Sequence, residues 1–408
     1  MSARISPNTI SNVAFLFILL MLGISTYVVM PDLDNTAEAG TGLSAWVIFA
    51  LAVLQIPLLL FIFSRRVKTS SHTPAFIFYY YSYFLWMTAI TLLRDNVHNI
   101  KGLTVIAMTI LVFPFLLSTS YYRARNAELN KWFFVGVIFV MLCIIKQYYN
   151  IYSIANLFKS AHIGVSYFPL FILPLLLLPS SRVIRYASIA ITAIIIISSI
   201  KRGGLIALGA GLVVYVLVEQ MVSGKSASRK WLAIIAMIIM MGTALHFLKK
   251  SETTNIIERI ASIKDDGGSD RDVVWADTYA NIQNRDVFSR MVGNGYRSAQ
   301  RVSHYNLPAH NDILEIWYDF GGIGIIMYGI AFFSLCFYVW RVYKRKSRYA
   351  PHLALTMTIY FFISMISIVI LYFWLALLMV TIGILAGLAD RELDEENEQE
   401  AQKSIVES

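Results

Sequence analysis

Three short segments of the sequence place cationic or ionisable side chains beside glycines, where they could bind and transform an anionic ligand. The first, Lys201–Gly204, puts two cations and two glycines between long apolar runs. Arginine binds phosphate through paired hydrogen bonds, and glycine lets backbone approach a ligand closely. The segment therefore predicts an anion site at Arg202, with Lys201 as a weaker candidate. The alternative, in which both side chains only reach lipid headgroups, stays open.

The second segment, Gly267–Trp275, predicts a helix that opens with an arginine. A serine N-cap two residues earlier places Arg271 in the first turn, where a cation opposes the helix dipole by roughly 0.3–1 kcal/mol. Either an anionic ligand or an ion pair with an acid such as Asp270 accounts for this placement. Trp275 is a candidate sugar-stacking platform or part of the loop's own core.

The third segment brings a histidine to the start of a helix. Asp312 and Glu315 predict a D-x-x-E cap, so His310 lies just before a helix N-terminus. The positive end of the dipole disfavours imidazolium, which keeps the ring neutral and able to accept a proton. Asp319 shares a helical face with both acids. We expect these acids to complement the dipole rather than to bind sugar hydroxyls.

The solvent of these segments follows from composition. Hydrophobic residues make up 57% of the 408 residues and charged residues 14%, with a mean hydropathy of +0.63. Soluble domains are about 45–50% apolar and about 25% charged, so the chain belongs in a bilayer. Soluble enzymes, nucleic-acid binders and secreted disulfide scaffolds are excluded. The net charge of +9 then reflects basic cytoplasmic loops, and Cys143 and Cys336 lie in apolar runs as small buried hydrophobes.

Apolar runs of about 20 residues predict an all-α, polytopic membrane protein. Spans are expected near 10–30, 43–63, 75–93, 103–119, 131–148, 163–178, 183–200, 204–221, 231–248 and 320–340. The last apolar stretch, 352–388, would be about 55 Å long as one helix, so we divide it near 368–372 into two spans, about twelve in all.

The organisation along the chain has four parts. Residues 1–248 form nine spans, 249–309 a large outer loop, 310–388 three spans, and 389–408 an acidic cytoplasmic tail that we expect to be disordered. Basic residues concentrate in alternate short loops, which are therefore cytoplasmic. The large loop then lies on the outer face, where short helices and the chemistry are expected.

The ordered set of motifs resembles the O-antigen ligase and polymerase superfamily of bacterial inner membranes. Its elements are Lys201–Gly204, Arg271–Trp275, the G-x-G-[FY] turn Gly293–Tyr296, the pair His310–Asn311 and the glycine-rich Gly321–Gly324. Their order and topology match over roughly the last half of the chain. Earlier residues resemble the family only as a series of spans.

The resemblance implies a glycosyltransferase of surface polysaccharide (lipopolysaccharide or exopolysaccharide) biosynthesis, acting on the periplasmic face of the inner membrane. The donor is a glycan on undecaprenyl pyrophosphate, and the acceptor is a lipid-linked glycan or the lipid A core. Arg202 and Arg271 then bind the pyrophosphate, and His310 is the general base. Lys201 and Arg297 are weaker candidates for the same anion. No cofactor, metal or nucleic acid is expected.

Substrate contacts are expected from Asn311, Tyr296 and Trp275. Polymerase and ligase differ in the acceptor, and we favour a polymerase because more polysaccharide pathways need one. One rival is a metal-dependent transferase using Asp32-Leu33-Asp34. The other is a lipid-oligosaccharide flippase, which would need midplane charges and internal repeats that the sequence lacks.

Overall fold

The computed structural model describes residues 16, 19–20, 22–24, 73–94, 100–126, 129, 131–158, 167–179, 181–199, 202–224, 271–303, 308–370 and 374–407. Most of these residues lie in helices. The helices are α1 (Ala75–Arg94), α2 (Ile100–Asn126), α3 (Lys131–Phe158), α4 (Phe168–Leu176), α5 (Arg182–Ser198), α6 (Arg202–Ser223), α7 (Arg271–Gln283), α8 (Val287–Val292), α9 (Ser298–Val302), α10 (Asp312–Lys344), α11 (Ala350–Ile366) and α12 (Trp374–Glu407).

Wherever a predicted span falls within the described residues, the structure forms a helix there. The described residues contain no strand. Four of the described helices are long and apolar enough to cross a bilayer: Ala75–Arg94, Lys131–Asn150, Gly203–Ser223 and Asp312–Lys344. The expected spans at 43–63 and 231–248, and most of 10–30, lie outside the described residues. The chain is a helical membrane protein, and the total of twelve spans stays a prediction.

Two expectations from the sequence agree with the described helices. The last apolar stretch is divided, because α11 ends at Ile366 and α12 begins at Trp374. The described part of the outer loop contains the short helices α7, α8 and α9, as its pattern predicts.

The predicted span at 163–178 is shorter than expected. In its described part, α4 has only nine residues, which rise about 14 Å, against a hydrocarbon core of about 30 Å. Pro169 lies in its first turn, where proline favours a helix start, and Pro174 removes a main-chain donor farther along.

The prediction of a disordered acidic tail is wrong, since α12 continues as a helix to Glu407. The polar, C-terminal half of α12 is held in place by contacts at the point where that half begins. The carboxylate of Asp390 accepts hydrogen bonds from Tyr121 at 2.6 Å and Tyr338 at 3.0 Å, and Asp394 pairs with Arg125 at 2.7 Å. Glutamate, glutamine and alanine, which fill the rest, are good helix formers.

Two glycines of α12 allow it to pack closely against α2. Gly383 and Gly387 lie one turn apart on α12 and face α2, where a Cβ atom at Gly387 would be 2.9 Å from the Cβ of Ala124. Small residues at this spacing let two helices approach backbone to backbone. The helices α2 and α12 therefore run side by side in the same direction, with the tail beyond them.

The helices α6 and α11 run antiparallel and define the two ends of the bundle. Gly203 at the start of α6 faces Ile366, and Gly211 farther along faces Leu355 and Ile359. We call the end with Gly203 and Ile366 the site end, and the end where α11 begins the opposite end. The predicted topology puts the site end on the periplasmic face.

Candidate functional site

The N-terminus of α10 is capped by Asn311 rather than by the predicted D-x-x-E pair. The side-chain oxygen of Asn311 accepts from the main-chain N–H groups of Ile313 and Leu314 at 3.0 and 3.2 Å. Its amide nitrogen donates to the carbonyl of Met365 at 3.1 Å. Asn311, proposed from the sequence as a substrate contact, thus joins the start of α10 to the end of α11.

Asp312 is buried and holds the chain that follows α11. Its carboxylate accepts from Ser364 at 2.6 Å and from the main-chain N–H groups of Val369 and Ile370 at 2.9 and 3.3 Å. The residues from Met365 to Ile370 are called the 365–370 turn below. Asp312 stabilises this turn, so its role differs from the capping role that its position suggests.

His310 lies immediately before this cap with a left-handed backbone, at φ 52°. Histidine adopts this conformation more readily than branched residues do, yet it is uncommon, and such positions cluster at functional sites. The preceding residue is fixed by Glu315, whose buried carboxylate accepts from the N–H of Ala309 at 2.7 Å. His310 is therefore held between two anchored residues, Ala309 and Asn311, at the positive end of α10.

The G-x-G turn is held by Asp319. Its main-chain carbonyl accepts from Asn294 N–H at 2.9 Å and Gly295 N–H at 2.8 Å. Its buried carboxylate accepts from Arg297 N–H at 2.7 Å, and from the Ser298 hydroxyl and Ala299 N–H at 2.8 Å each. The three acids on one face of α10 are thus buried supports for three different segments, and they do not face a sugar.

Two glycines with positive φ make this contact possible. Gly293 has φ 88° and Gly321 has φ 71°, which L-residues rarely adopt. A Cβ at Gly293 would collide with the backbone of Asp319 and Phe320, and one at Gly321 with the backbone of Met291. Gly321 also kinks α10. The carbonyl of Phe320 at this kink accepts from the Trp86 indole at 3.1 Å.

Arg285, which the sequence did not single out, locks the turn after α7 against α10. Its guanidinium lies 3.2 Å from the centre of the Tyr318 ring and donates to the Tyr318 carbonyl at 2.9 Å. With the Asn294 amide oriented to satisfy its neighbours, its oxygen accepts from Arg285 at 2.8 Å. Burial lowers the pKa of Arg285. An arginine among loop residues carries no sequence signal of this role.

Arg271 opens α7, as predicted, and meets the 365–370 turn through a residue that the sequence reading missed. The hydroxyl of Tyr167 hydrogen-bonds to Arg271 and to Ser367. The same hydroxyl lies 3.6 Å from the Cβ position of Gly203, at the start of α6. Tyr167 therefore joins Arg271, the 365–370 turn and the N-terminus of α6. It precedes an apolar run, so only the packing reveals it.

The 365–370 turn thus brings together the three segments of the sequence analysis. Arg202 is the first residue of α6, next to Gly203; its side chain and the whole of Lys201 lie outside the described residues. Asn311 joins the turn on the side of His310, and Tyr167 joins it on the side of Arg271. Three helix N-termini, which attract anions, converge here.

The remaining candidates occupy the edge of this arrangement. Arg297 has a left-handed backbone, at φ 57°, and its guanidinium lies 5.4 Å from the centre of the Tyr296 ring. Tyr296 packs against the main core, and its N–H donates to Thr91. The indole N–H of Trp275 is buried without a hydrogen-bond partner among the described residues. A buried donor of this kind is available to a ligand, which keeps Trp275 a candidate contact.

Residues 187–329 match the model of a family described as O-antigen ligase. This segment is similar to that family. The matched segment begins in α5, ends in α10 and includes all five motifs, so the resemblance drawn from the sequence is confirmed over these residues. No curated protein matches the chain.

The family and the helices together establish the general class of the protein. Members of the O-antigen ligase family are glycosyltransferase-like enzymes of the ligase and polymerase type that act on lipid-linked glycans in a membrane. The apolar helices α1, α3, α6 and α10 are consistent with that context.

Proposed function

We propose that this chain transfers a glycan from undecaprenyl pyrophosphate to a hydroxyl of a second, lipid-linked glycan, as a polymerase of surface polysaccharide. The acceptor oxygen forms a bond to the anomeric carbon of the donor, and the bond from that carbon to the pyrophosphate oxygen breaks. The acceptor proton goes to a base, and undecaprenyl pyrophosphate leaves with the electron pair.

The observation that carries this proposal is the convergence on the 365–370 turn. His310 is joined to it through Asn311, Arg271 through Tyr167, and Arg202 through its neighbour Gly203. A base and two cations at converging helix N-termini match a reaction that removes one proton and releases an anion.

His310 is proposed as the general base. It lies at the positive end of the α10 dipole, which favours the neutral ring that can accept a proton. Glu315 and Asn311 anchor the main chain on both sides of His310 and so fix the left-handed backbone from which the imidazole projects. Such preorganisation lowers the reorganisation needed during proton transfer.

Arg271 and Arg202 are proposed to bind the pyrophosphate and stabilise the charge that develops on it. Arginine is suited to this role because its planar guanidinium pairs with phosphate oxygens through two hydrogen bonds and stays charged. Tyr167 positions Arg271. Lys201 and Arg297 are weaker candidates for the same anion, and Trp275 and Tyr296 for the sugar.

The polymerase assignment depends on which acceptor receives the glycan. The alternative within the superfamily is a ligase that transfers finished polymer to the lipid A core. Both would act at the periplasmic face of a bacterial inner membrane, where the predicted topology puts the site end.

A glycan gel of a deletion strain tests this proposal. Loss of the long ladder, with a single repeat kept on the surface lipid, supports a polymerase. Long polymer that accumulates on undecaprenyl pyrophosphate while the lipid A core stays bare identifies a ligase. Complementation with His310→Asn should leave either defect in place. If that variant restores the wild-type pattern, the base assignment is wrong. In that case Asp32 and Asp34, outside the described residues, become the next candidates, with sensitivity to chelators as their signature.

A further inference from the structure

A polar cavity lies at the opposite end of the bundle, away from the motifs of the family. It has a volume of about 670 Å³ and lies between the ends of α4 and α6 and the starts of α5 and α11. The helix α11 has 17 residues, so about 20 Å separates this cavity from the 365–370 turn. Nothing in the proposed transfer reaction uses it.

The most unusual group in the cavity wall is His352. Only 9% of this residue is exposed. Its ring interacts with the main chain of Leu177 and Arg348, but neither ring nitrogen has a partner with good hydrogen-bond geometry among the described residues. A buried polar group without a partner is costly, and such a group in a cavity wall indicates an absent ligand atom.

Charged neighbours surround His352. Arg185 interacts electrostatically with it and hydrogen-bonds to Tyr215, whose ring meets the imidazole edge-on at 5.2 Å. The carboxylate of Glu219 interacts electrostatically with the same Tyr215 hydroxyl. Two further pairs line the cavity, Arg348 with Glu392 at 3.3 Å and Arg391 with Glu395 at 2.8 Å.

The cavity therefore balances three arginines against three glutamates, and it adds an uncharged acceptor. A purely anionic ligand would face three carboxylates. A zwitterion that carries a phosphate and an ammonium group satisfies both signs. The remaining wall is apolar, with Phe134, Leu177 and Leu388 among its members, so the ligand also has a hydrocarbon part.

We propose that this cavity binds a phospholipid with a primary amine in its headgroup. Its phosphate lies toward Arg185 and Arg348, and its ammonium group donates to His352 and Glu219. The predicted topology puts this end at the cytoplasmic surface of the membrane, where headgroups and the start of the acyl chains meet the protein. The lipid fills a gap between α4, α6, α11 and α12 and so joins helices from both halves of the chain.

Native mass spectrometry of the full chain tests the proposal. The protein is released from nanodiscs that contain equal amounts of phosphatidylethanolamine and phosphatidylglycerol, and the retained lipid is weighed. The wild type is expected to keep one phosphatidylethanolamine. His352→Phe and Glu219→Gln should retain it about tenfold less, because each loses a hydrogen bond to a charged group. Glu398→Gln, on the exposed part of α12, is the matched control and should behave as the wild type.

Thermal unfolding separates ligand recognition from a structural role. Since the ring of His352 makes no well-formed hydrogen bond to the described residues, His352→Phe should not lower the unfolding temperature in lipid-free detergent. It should instead abolish the rise that added phosphatidylethanolamine gives the wild type.

Three results would overturn the proposal. The first is equal retention of phosphatidylglycerol, which refutes recognition of the amine. The second is retention that does not change in either variant, or no retained lipid at all. The third is displacement of the lipid by soluble glycerophosphoethanolamine at an equal concentration, which would identify a small-molecule site. None of these readouts depends on glycan transfer, so the result stands apart from the proposed activity.

Discussion

The two ends of the helix bundle are built on different principles. At the opposite end, repeated side-chain contacts join regular helices, such as the Arg125–Asp394 ion pair and the glycine contact between α12 and α2. At the site end, buried carboxylates on α10 hold irregular backbone by accepting main-chain hydrogen bonds. The site end thus fixes non-helical backbone at the expense of burying carboxyl groups.

This comparison predicts different consequences of mutation at the two ends. Changes at the site end should remove transfer activity together with local order. Changes at the opposite end should lower stability and leave the transfer step intact.

Asp319→Ala should have the largest effect. It leaves the buried N–H groups of Arg297 and Ala299 without an acceptor, and each such loss costs about 1–3 kcal/mol. We expect a large drop in unfolding temperature, fast hydrogen exchange in 287–303 and no transfer. Asp394→Ala is the matched control at the opposite end, where a partly exposed ion pair contributes about 0–1 kcal/mol. Equal effects of the two variants would contradict the distinction.

Gly321→Ala should have the next largest effect on stability. Its φ of 71° and ψ of −175° lie in a region that essentially only glycine adopts, which disfavours alanine by about 1–3 kcal/mol. The new Cβ also meets the backbone of Met291. Transfer should be lost because the G-x-G turn can no longer pack on the kink. Gly329→Ala, on the same helix with no atom within 4 Å of its Cβ position, should be neutral or slightly stabilising. Wild-type activity in Gly321→Ala would refute the role of the kink.

Gly387→Ala tests the opposite end. A methyl group there presses on the backbone of α2, and overpacking of this kind costs about 1–3 kcal/mol. The unfolding temperature in detergent should fall, while the rate of transfer per folded molecule stays near that of the wild type. Gly209→Ala, which has open space around it, serves as control. Loss of transfer without loss of stability would show that this interface takes part in the reaction.

Tyr167→Phe should change stability least, by about 0.5–1.5 kcal/mol for a lost hydrogen bond. It removes the hydroxyl that joins Arg271 to Ser367. If Tyr167 positions Arg271 for the pyrophosphate, the KM for the lipid-linked donor should rise or kcat fall by about tenfold. Tyr148→Phe, whose hydroxyl donates to Ser198 at 2.8 Å near the end of α5, is the matched control. Unchanged kinetics in Tyr167→Phe would exclude a positioning role.

Much of the fold follows from the sequence because hydrophobic run length is a strong local signal. The helices near 75–93, 183–200 and 204–221, the break near 368–372 and the short helices of the loop are all found. The shortness of α4 was missed because its apolar run extends beyond the helix itself. The helical tail was missed because its order depends on Tyr121, Tyr338 and Arg125, which are distant in sequence.

The candidate site also contains both residues that the sequence indicates and residues that only the packing reveals. Arg202, Arg271 and His310 are candidates from the sequence alone because a charge beside a glycine or at a helix start conflicts with its surroundings. Tyr167 and Arg285 were missed, since an aromatic residue before an apolar run and an arginine in a loop conflict with nothing. The separate roles of Asp312, Glu315 and Asp319 were also hidden, because spacing shows a shared face but does not show which segment packs against it.

The central claim is that His310 accepts the acceptor proton, and the rate of glycan transfer by purified His310→Asn tests it most directly. Asparagine tolerates the left-handed backbone at this position, so the variant should keep the wild-type unfolding temperature. Lys346→Asn, with a φ of 57° at the opposite end, is the matched control. We expect transfer from the lipid-linked donor to fall by about 10²–10⁴-fold in His310→Asn, and to be unchanged in Lys346→Asn. A wild-type rate in His310→Asn would contradict the account.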